Sequence, residues 1–153
     1  MSKSPSPSRA DDSSPSPLEQ ALRALRQRER SAAEIDRYLT ARGVGEDERG
    51  QVLETLARTE LVDDRRFAEL RATSLAGRGA GDAFIRHELV RAGVGSELAE
   101  ETVASLPSEL ERATRIVERR GNGVKTARYL AGKGYSEDVI RAVVADSRDE
   151  PIG

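Results

Sequence analysis

The sequence contains no cysteine and no tryptophan, and its only aromatic residues are three tyrosines and two phenylalanines among 153 residues. Without cysteine, disulfides and thiolate chemistry are excluded, and a reducing, intracellular compartment is expected. No apolar run approaches the ~18 residues of a membrane-spanning helix, and the N-terminus lacks a signal-peptide core. We therefore expect a cytoplasmic protein without a membrane partner, whose core consists of Leu, Val, Ile and Ala.

Groups that carry enzymatic or metal chemistry are equally scarce. His87 is the single histidine, and without a second histidine or a cysteine it forms neither a zinc site nor a catalytic dyad, so a solvent-facing position is expected. Asp63 and Asp64 are adjacent at a predicted helix start, where acidic side chains are typical caps. The glycine-rich segment 77–81 follows no predicted strand and precedes no Gly-Lys-Ser/Thr, which favours an interhelical loop over a phosphate-binding loop. The sequence thus indicates a non-enzymatic protein with no cofactor and no metal ion.

The sequence contains an internal repeat. A helix with an apolar stripe, a glycine and a short acidic helix recur three times, around the segments 35–44, 85–94 and 126–135. In each segment one residue lies eight positions before the glycine and a leucine lies four before it, so both fall on one face of a helix. The glycine supplies the left-handed residue that ends many helices. The repeat predicts an all-α fold of three tandem three-helix repeats forming an elongated array.

Helix-start signals divide the chain further. Ser16, Ser31 and Ser108 each begin a capping-box pattern, and Asp82 is predicted to cap the middle helix of the second repeat. The predicted organisation is a disordered Ser/Pro-rich tail over residues 1–15, three-helix repeats over 16–60, 61–107 and 108–148, and a second tail over 149–153.

The net charge of −2 conceals an alternation of basic and acidic segments. Residues 94–107 contain three acidic residues and no basic one, whereas residues 109–133 contain seven basic and three acidic residues. Within the basic segment, Arg112, Arg115 and Arg119 are spaced to lie on one face of a helix. Such a face is either solvated surface or a binding surface for an acidic partner, and the pattern leaves both alternatives open.

Tyr38 and Tyr129 occupy the same place in two of the repeats, immediately before the leucine of the apolar stripe. They flank the predicted buried face. Stacking on nucleic-acid bases is one use for such residues, but two tyrosines are few for that purpose. We therefore expect both rings to be partly packed against the core.

The second repeat carries a more specific pattern. Residues 61–68 read Leu-Val-Asp-Asp-Arg-Arg-Phe-Ala, and residues 85–93 read Ile-Arg-His-Glu-Leu-Val-Arg-Ala-Gly. In order and spacing they resemble the RecX family, whose members show a Leu-hydrophobic-Asp-Asp-x-x-Phe-Ala element followed by an Ile-x-x-Glu-Leu-x-x-x-Gly helix. The resemblance spans about residues 18–147. The chain departs from the family pattern after Ala68, where an aromatic and a basic residue are common, and at Ala92, where a lysine often precedes the glycine.

The resemblance implies a regulator of the RecA recombinase. Such a protein, which belongs to DNA repair, docks along or caps the RecA–DNA filament and opposes its growth. It thereby restrains recombination, ATP hydrolysis, repressor cleavage and the SOS response. The implied partners are the RecA filament and the single- or double-stranded DNA within it. We expect the regulator to be a monomer.

Basic residues on the repeats are the candidates for contact with RecA or DNA, with solvated helix faces as the alternative. They are Arg37, Arg42, Arg86, Arg91, Arg112, Arg115, Arg119, Arg120, Lys125, Arg128 and Lys133. Two other functions stay open for an array of this kind: a helix-turn-helix-like DNA-binding protein and a generic helical adaptor. No predicted helix combines arginine with asparagine or glutamine as a base-reading set, which disfavours the first of these.

Overall fold

The computed structural model describes residues 14–148, and all regular elements within this range are α-helices. The helices are α1 (Pro17–Gln27), α2 (Ala32–Ala41), α3 (Glu46–Arg58), α4 (Asp64–Gly77), α5 (Asp82–Arg91), α6 (Ser96–Ala104), α7 (Glu109–Arg120), α8 (Val124–Gly132) and α9 (Glu137–Arg148). The predicted all-α fold of three three-helix repeats is confirmed. Elongation of the array and the exact repeat boundaries stay predictions, and the tails predicted at 1–15 and 149–153 lie outside the described residues except for positions 14 and 15.

The chain divides into two compact units, one ending at Asp63 and the other beginning at Asp64. The first unit contains α1–α3, and the second contains α4–α9. Each repeat has its own apolar cluster. Leu39 is completely buried in the first cluster, Leu89 in the second and Leu130 in the third. These are the leucines that the repeat pattern places four residues before each glycine.

Serine caps begin the first helix of the third repeat and two helices of the first repeat. The Ser16 hydroxyl accepts from the Glu19 amide at 3.1 Å, and the Glu19 carboxylate accepts from the Ser16 amide at 2.8 Å. Ser31 and Glu34 form the same reciprocal pair at the start of α2. Each box satisfies two amides that a helix N-terminus leaves without a partner. The boxes predicted at Ser16 and Ser31 are confirmed, while Ser108 accepts from the Glu111 amide alone.

The repeated glycines end helices in the left-handed conformation, as predicted. Gly43, Gly93 and Gly134 have φ values of 82°, 95° and 93°. In each repeat the amide of the following residue donates to the carbonyl of the stripe leucine, at 3.1, 3.0 and 3.1 Å. This is the six-to-one hydrogen bond of a Schellman motif, and it turns the next side chain into the core. Val44, Val94 and Tyr135 are accordingly buried.

Replacing one of these glycines tests the role of the motif. Gly93→Val is expected to lower the free energy of unfolding by at least ~1 kcal/mol, because a β-branched residue is disfavoured at positive φ. Gly95→Ser is the matched control: Gly95 has a φ of −60° at the N-cap of α6, and a Cβ there meets no atom within 4 Å. Serine is favoured at an N-cap, so this control should retain the parent stability. Equal urea midpoints for the two variants would contradict the assignment.

The second and third repeats meet through backbone contacts within the second unit. The Gly81 amide donates to the Lys133 carbonyl oxygen at 2.7 Å. A Cβ atom on Gly81 would lie 2.5 Å from the Tyr135 amide nitrogen, so only glycine allows this approach. The prediction that Asp82 caps α5 is wrong, because Gly81 is the N-cap residue and Asp82 is the first residue of the helix. The Asp82 carboxylate instead pairs with Arg112, 2.9 Å away.

Candidate functional site

Acidic partners divide the predicted binding cations into two groups. In the second repeat, Arg86 pairs with Glu100, and Arg91 lies 3.6 Å from Glu88. Glu88 is also 3.4 Å from Arg71. A carboxylate partner offsets part of the charge of a guanidinium, so these arginines attract an acidic partner less strongly than unpaired arginines do.

The third repeat carries the cations that lack such partners. None of the following has a carboxylate within ion-pair distance among residues 14–148: Arg119, Arg120, Lys125, Arg128 and Lys133. All but Lys133, which is half-buried, are exposed. Arg42 in the first repeat is likewise exposed and without a carboxylate among the described residues. These groups keep their full charge for an external anion, and the predicted basic surface is therefore concentrated on the third repeat.

Arg112 belongs to neither group, and its assignment to an exposed binding face is corrected. The residue is only 7% exposed. Its guanidinium donates to the carbonyl oxygens of Pro107 and Ala80, at 2.9 and 3.1 Å, in addition to its pair with Asp82. Arg112 thus joins the second and third repeats. Helical spacing could not reveal this, because Ala80 and Asp82 lie 32 and 30 residues before Arg112 in the chain.

Two tyrosines hold cations against their rings. The Arg42 guanidinium lies 3.6 Å from the ring centroid of Tyr38, and the Arg120 guanidinium lies 3.8 Å from that of Tyr129. Both rings are half-buried beside the apolar clusters, as predicted. A cation over an aromatic face is stabilised by the ring quadrupole, so these two arginines are held in place while their charge stays available. The corresponding residue of the second repeat is Glu88.

A cleft of about 550 Å³ lies within the second unit, beside α7. Arg112, Arg115 and Arg119 all line it, which shows that their predicted common helix face is real. Arg115 is exposed and lies 3.8 Å from Glu111, a distance typical of a weak surface pair. Tyr135 lines the same cleft. The cleft thus brings three cationic side chains together with one phenol.

Tyr135 was not among the predicted site residues. It is 5% exposed, and its side chain interacts with Arg112, whose guanidinium carbon lies 5.8 Å from the centre of the ring. Burial raises the pKa of Tyr135, and the nearby charge of Arg112 partly opposes this shift. The signal in the sequence was a tyrosine at the position that Val44 and Val94 occupy in the other repeats.

The raised pKa of Tyr135 predicts a loss of stability at high pH. Below about pH 10, the ordinary pKa of tyrosine, the phenol is neutral in both folded and unfolded chains and contributes nothing. As the pH rises further, the unfolded chain ionises first and stability falls. Tyr135→Phe should reduce the slope of unfolding free energy against pH between pH 10 and 11. Identical slopes for parent and variant would show that Tyr135 ionises as readily in the folded state.

The remaining predicted features are placed as follows. His87 is exposed, as expected. The predicted interhelical loop lies at residues 78–81, between α4 and α5, while Gly77 is the last residue of α4. Among the described residues no group of three potential ligands could hold a metal ion, and no helix is long and apolar enough to cross a membrane.

These observations define a class of protein: an all-helical array of three glycine-terminated three-helix repeats, whose third repeat carries a surface of unpaired cations. Comparison with known proteins identifies the family. The family model for the second three-helix domain of RecX matches residues 63–103. A protein of Mycobacterium sp. (strain JLS) named regulatory protein RecX is 34% identical to this chain, over 97% of this chain and 98% of its own length. The regulatory protein RecX of Halorhodospira halophila (strain DSM 244 / SL1) is also 34% identical, over 85% and 88% of the two chains.

The fold agrees with that match. The crystal structure of RecX from Lactobacillus salivarius superposes with a TM-score of 0.73 at 19% identity, and it covers 86% of this chain and 94% of its own. A second crystal structure of a regulatory protein RecX gives a TM-score of 0.69. This chain belongs to the RecX family of regulatory proteins.

Proposed function

We propose that this protein is a non-enzymatic, cytoplasmic regulator that binds the RecA recombinase filament and restrains its growth. The observation that carries the proposal is the match to regulatory RecX proteins along nearly the whole chain. By opposing filament growth, the protein would limit recombination and the SOS response. We propose that it acts as a monomer.

The charge distribution supports a contact with a large anionic partner. Arg119 and Lys125 lie on the third repeat without carboxylate partners among the described residues, and both are exposed. Exposed, unpaired cations attract acidic protein surfaces and nucleic-acid phosphates alike, and they accelerate encounter more than they strengthen the final complex. Three tandem repeats also allow several weak contacts to combine through their shared chain.

The test is the ATPase activity of RecA on single-stranded DNA, measured with and without this protein. The parent protein should lower the steady-state rate. Joint replacement of Arg115, Arg119 and Lys125 by glutamate should weaken this inhibition, with helicity unchanged because exposed substitutions cost little stability. The deficit should grow with ionic strength, since fewer charge contacts remain before binding fails.

Two controls separate a specific surface from net charge. Arg141→Glu removes an exposed arginine of the same unit that lies 3.2 Å from the exposed Asp138, and it should inhibit as the parent does. Glu100→Lys with Glu101→Lys alters an acidic helix and tests whether any charge change has the same effect. Full inhibition by the basic triple variant at every salt concentration would place the binding face elsewhere. Base-specific DNA binding without RecA would favour a helix-turn-helix function instead.

A further inference from the structure

The contact between the second and third repeats joins a glycine loop to a helix end. The loop is residues 78–81, which connect α4 to α5, and the helix end is residues 133–135, where α8 terminates. The Gly81 amide donates to the Lys133 carbonyl oxygen at 2.7 Å. Residues 79–81 are all buried. A glycine loop of one repeat is thus covered by the helix end of the next.

The third repeat has a similar glycine loop that is uncovered. Residues 121–123 connect α7 to α8, with one residue fewer than the loop 78–81. In both loops a glycine in the left-handed conformation, with φ values of 94° and 89°, lies two positions before the glycine that is the N-cap. A Cβ atom on Gly81 would lie 2.5 Å from the backbone of the third repeat, whereas one on Gly123 meets no atom within 4 Å. All three residues of the second loop are exposed.

The first repeat has the complementary feature, a helix end that no other described segment covers. Residues 42–44 end α2 as residues 133–135 end α8, with a glycine in the left-handed conformation in the middle. A Cβ atom on Gly134 would lie 2.7 Å from the Cβ atom of Phe84 in the second repeat, whereas one on Gly43 meets no atom within 4 Å. The third repeat therefore offers a loop, and the first repeat offers a helix end.

The two uncovered segments present a donor and an acceptor that correspond to those of the existing contact. The Gly123 amide belongs to an N-cap residue, as the Gly81 amide does. The Arg42 carbonyl oxygen precedes a helix-ending glycine, as the Lys133 carbonyl oxygen does. Neither the Gly123 amide nor the Arg42 carbonyl oxygen has a hydrogen-bond partner among residues 14–148. Both residues are exposed, so another chain can replace the water around these groups.

The charges beside the two segments are opposite in sign. The helix end is followed by three exposed acidic residues that have no cationic partner among the described residues: Glu46, Asp47 and Glu48. The loop is flanked by three exposed cations that have no carboxylate partner in the described part of the chain: Arg119, Arg120 and Lys125. Unpaired charges of opposite sign attract each other and orient two surfaces as they approach.

We propose that the loop 121–123 of one copy docks on the helix end 42–44 of a second copy, so that copies join head to tail. The contact repeats between molecules the one that joins the second and third repeats. It lacks a counterpart of the Arg112–Asp82 pair, because α8 begins with Val124. It is therefore weaker, and the free protein stays a monomer. The proposal rests on the proposed function, because a RecA filament brings the copies to a high local concentration.

Introduced cysteines test this contact directly, because the chain has no cysteine of its own. One protein carries Asn122→Cys and the other carries Gly45→Cys, both at exposed positions. A short bismaleimide crosslinker is added to an equal mixture of the two, bound to RecA filaments on single-stranded DNA. Mass spectrometry should find the two proteins joined through positions 122 and 45. Arg141→Cys in place of Asn122→Cys is the control, because Arg141 is exposed in the same unit. Its product should fall to background.

Charge reversal shows whether the two surfaces face each other. Arg119→Glu with Lys125→Glu in the first protein should lower the crosslink yield about tenfold, because two weak surface attractions become repulsions. Glu46→Lys with Glu48→Lys in the second protein should have the same effect. Mixing the two reversed proteins should restore the yield, since opposite charges then face each other again.

The yield is measured per molecule that sediments with the filament, so weaker binding to RecA is not counted as a lost contact. Cations that contact RecA or DNA alone cannot be rescued by changes in an acidic helix of another copy. A yield that stays low when both reversed proteins are mixed would therefore overturn the proposal.

The remaining outcomes are also decisive. If the parent protein inhibits RecA and positions 122 and 45 form no crosslink on filaments, the proposal fails while the proposed function stands. If the parent does not inhibit RecA but the crosslink forms in concentrated free protein, the proposed function fails and the contact stands. A chain with both cysteines that crosslinks within itself in dilute solution would overturn the proposal. Protection of position 122 from maleimide by oligothymidylate, with no crosslink, would assign the loop to nucleic acid and overturn it too.

Discussion

Leu89→Ala is expected to lower the free energy of unfolding by about 2–5 kcal/mol, the range for a fully buried leucine reduced to alanine. Leu89 is 0% exposed in the cluster of the second repeat. Its backbone carbonyl oxygen also accepts a hydrogen bond from the Val94 amide at 3.0 Å. Leu89 therefore contributes both to the core and to the turn that ends α5. A cavity at this point therefore removes apolar contacts where the chain turns toward the next helix.

Val90→Ala is the matched control for this change, since Val90 follows Leu89 in α5 and is 48% exposed. The control should stay within about 0.5 kcal/mol of the parent. Urea denaturation followed by circular dichroism measures both variants. A similar loss for the two would mean that the apolar face of α5 has been assigned to the wrong residues.

Arg112→Ala is expected to cost about 3 kcal/mol, because it leaves the Asp82 carboxylate and two carbonyl oxygens without their donor. Asp82 retains 29% exposure of its side chain, so water recovers part of the loss and the cost falls at the lower end of the range for buried pairs. Arg115→Ala is the control, because Arg115 is exposed three residues further along α7. It should change the free energy of unfolding by no more than about 0.5 kcal/mol.

The double variant Arg112→Ala with Asp82→Ala separates charge from packing. Removing both partners relieves the uncompensated carboxylate, so the double variant should be more stable than the sum of the two single variants predicts. Thermal and urea unfolding of the four proteins provide the complete cycle. Strict additivity would show that the Arg112–Asp82 pair contributes no coupling between the second and third repeats.

Local signals predicted the repeat architecture well. Serine caps, stripe leucines and terminal glycines act within one or two helical turns, so their spacing carries the information directly. Asp82 shows the limit of such signals. Its position favours a helix cap, but Gly81 is the N-cap residue, and the Asp82 carboxylate pairs with Arg112 of the third repeat.

The candidate surface was predictable only in part. The common face of Arg112, Arg115 and Arg119 follows from helical periodicity, and the cleft confirms it. Which of these cations is available could not be predicted, because availability depends on carboxylates distant in the chain. Tyr135 is a comparable case, since it is buried where the Gly81 backbone of the second repeat approaches it.

Local signals were enough to predict the helices, most of their ends and the repeat, because hydrophobic periodicity and capping act over short distances along the chain, and the motifs of the second repeat indicated the family. Only the three-dimensional arrangement shows which basic side chains are paired with carboxylates inside the protein and which are available to a partner. Arg112 and Arg119 lie on one helix face, yet the first is neutralised by Asp82 and the second has no carboxylate among the described residues. The reason is physical: electrostatic interactions depend on distance and burial in space, and helical spacing specifies neither across separate repeats.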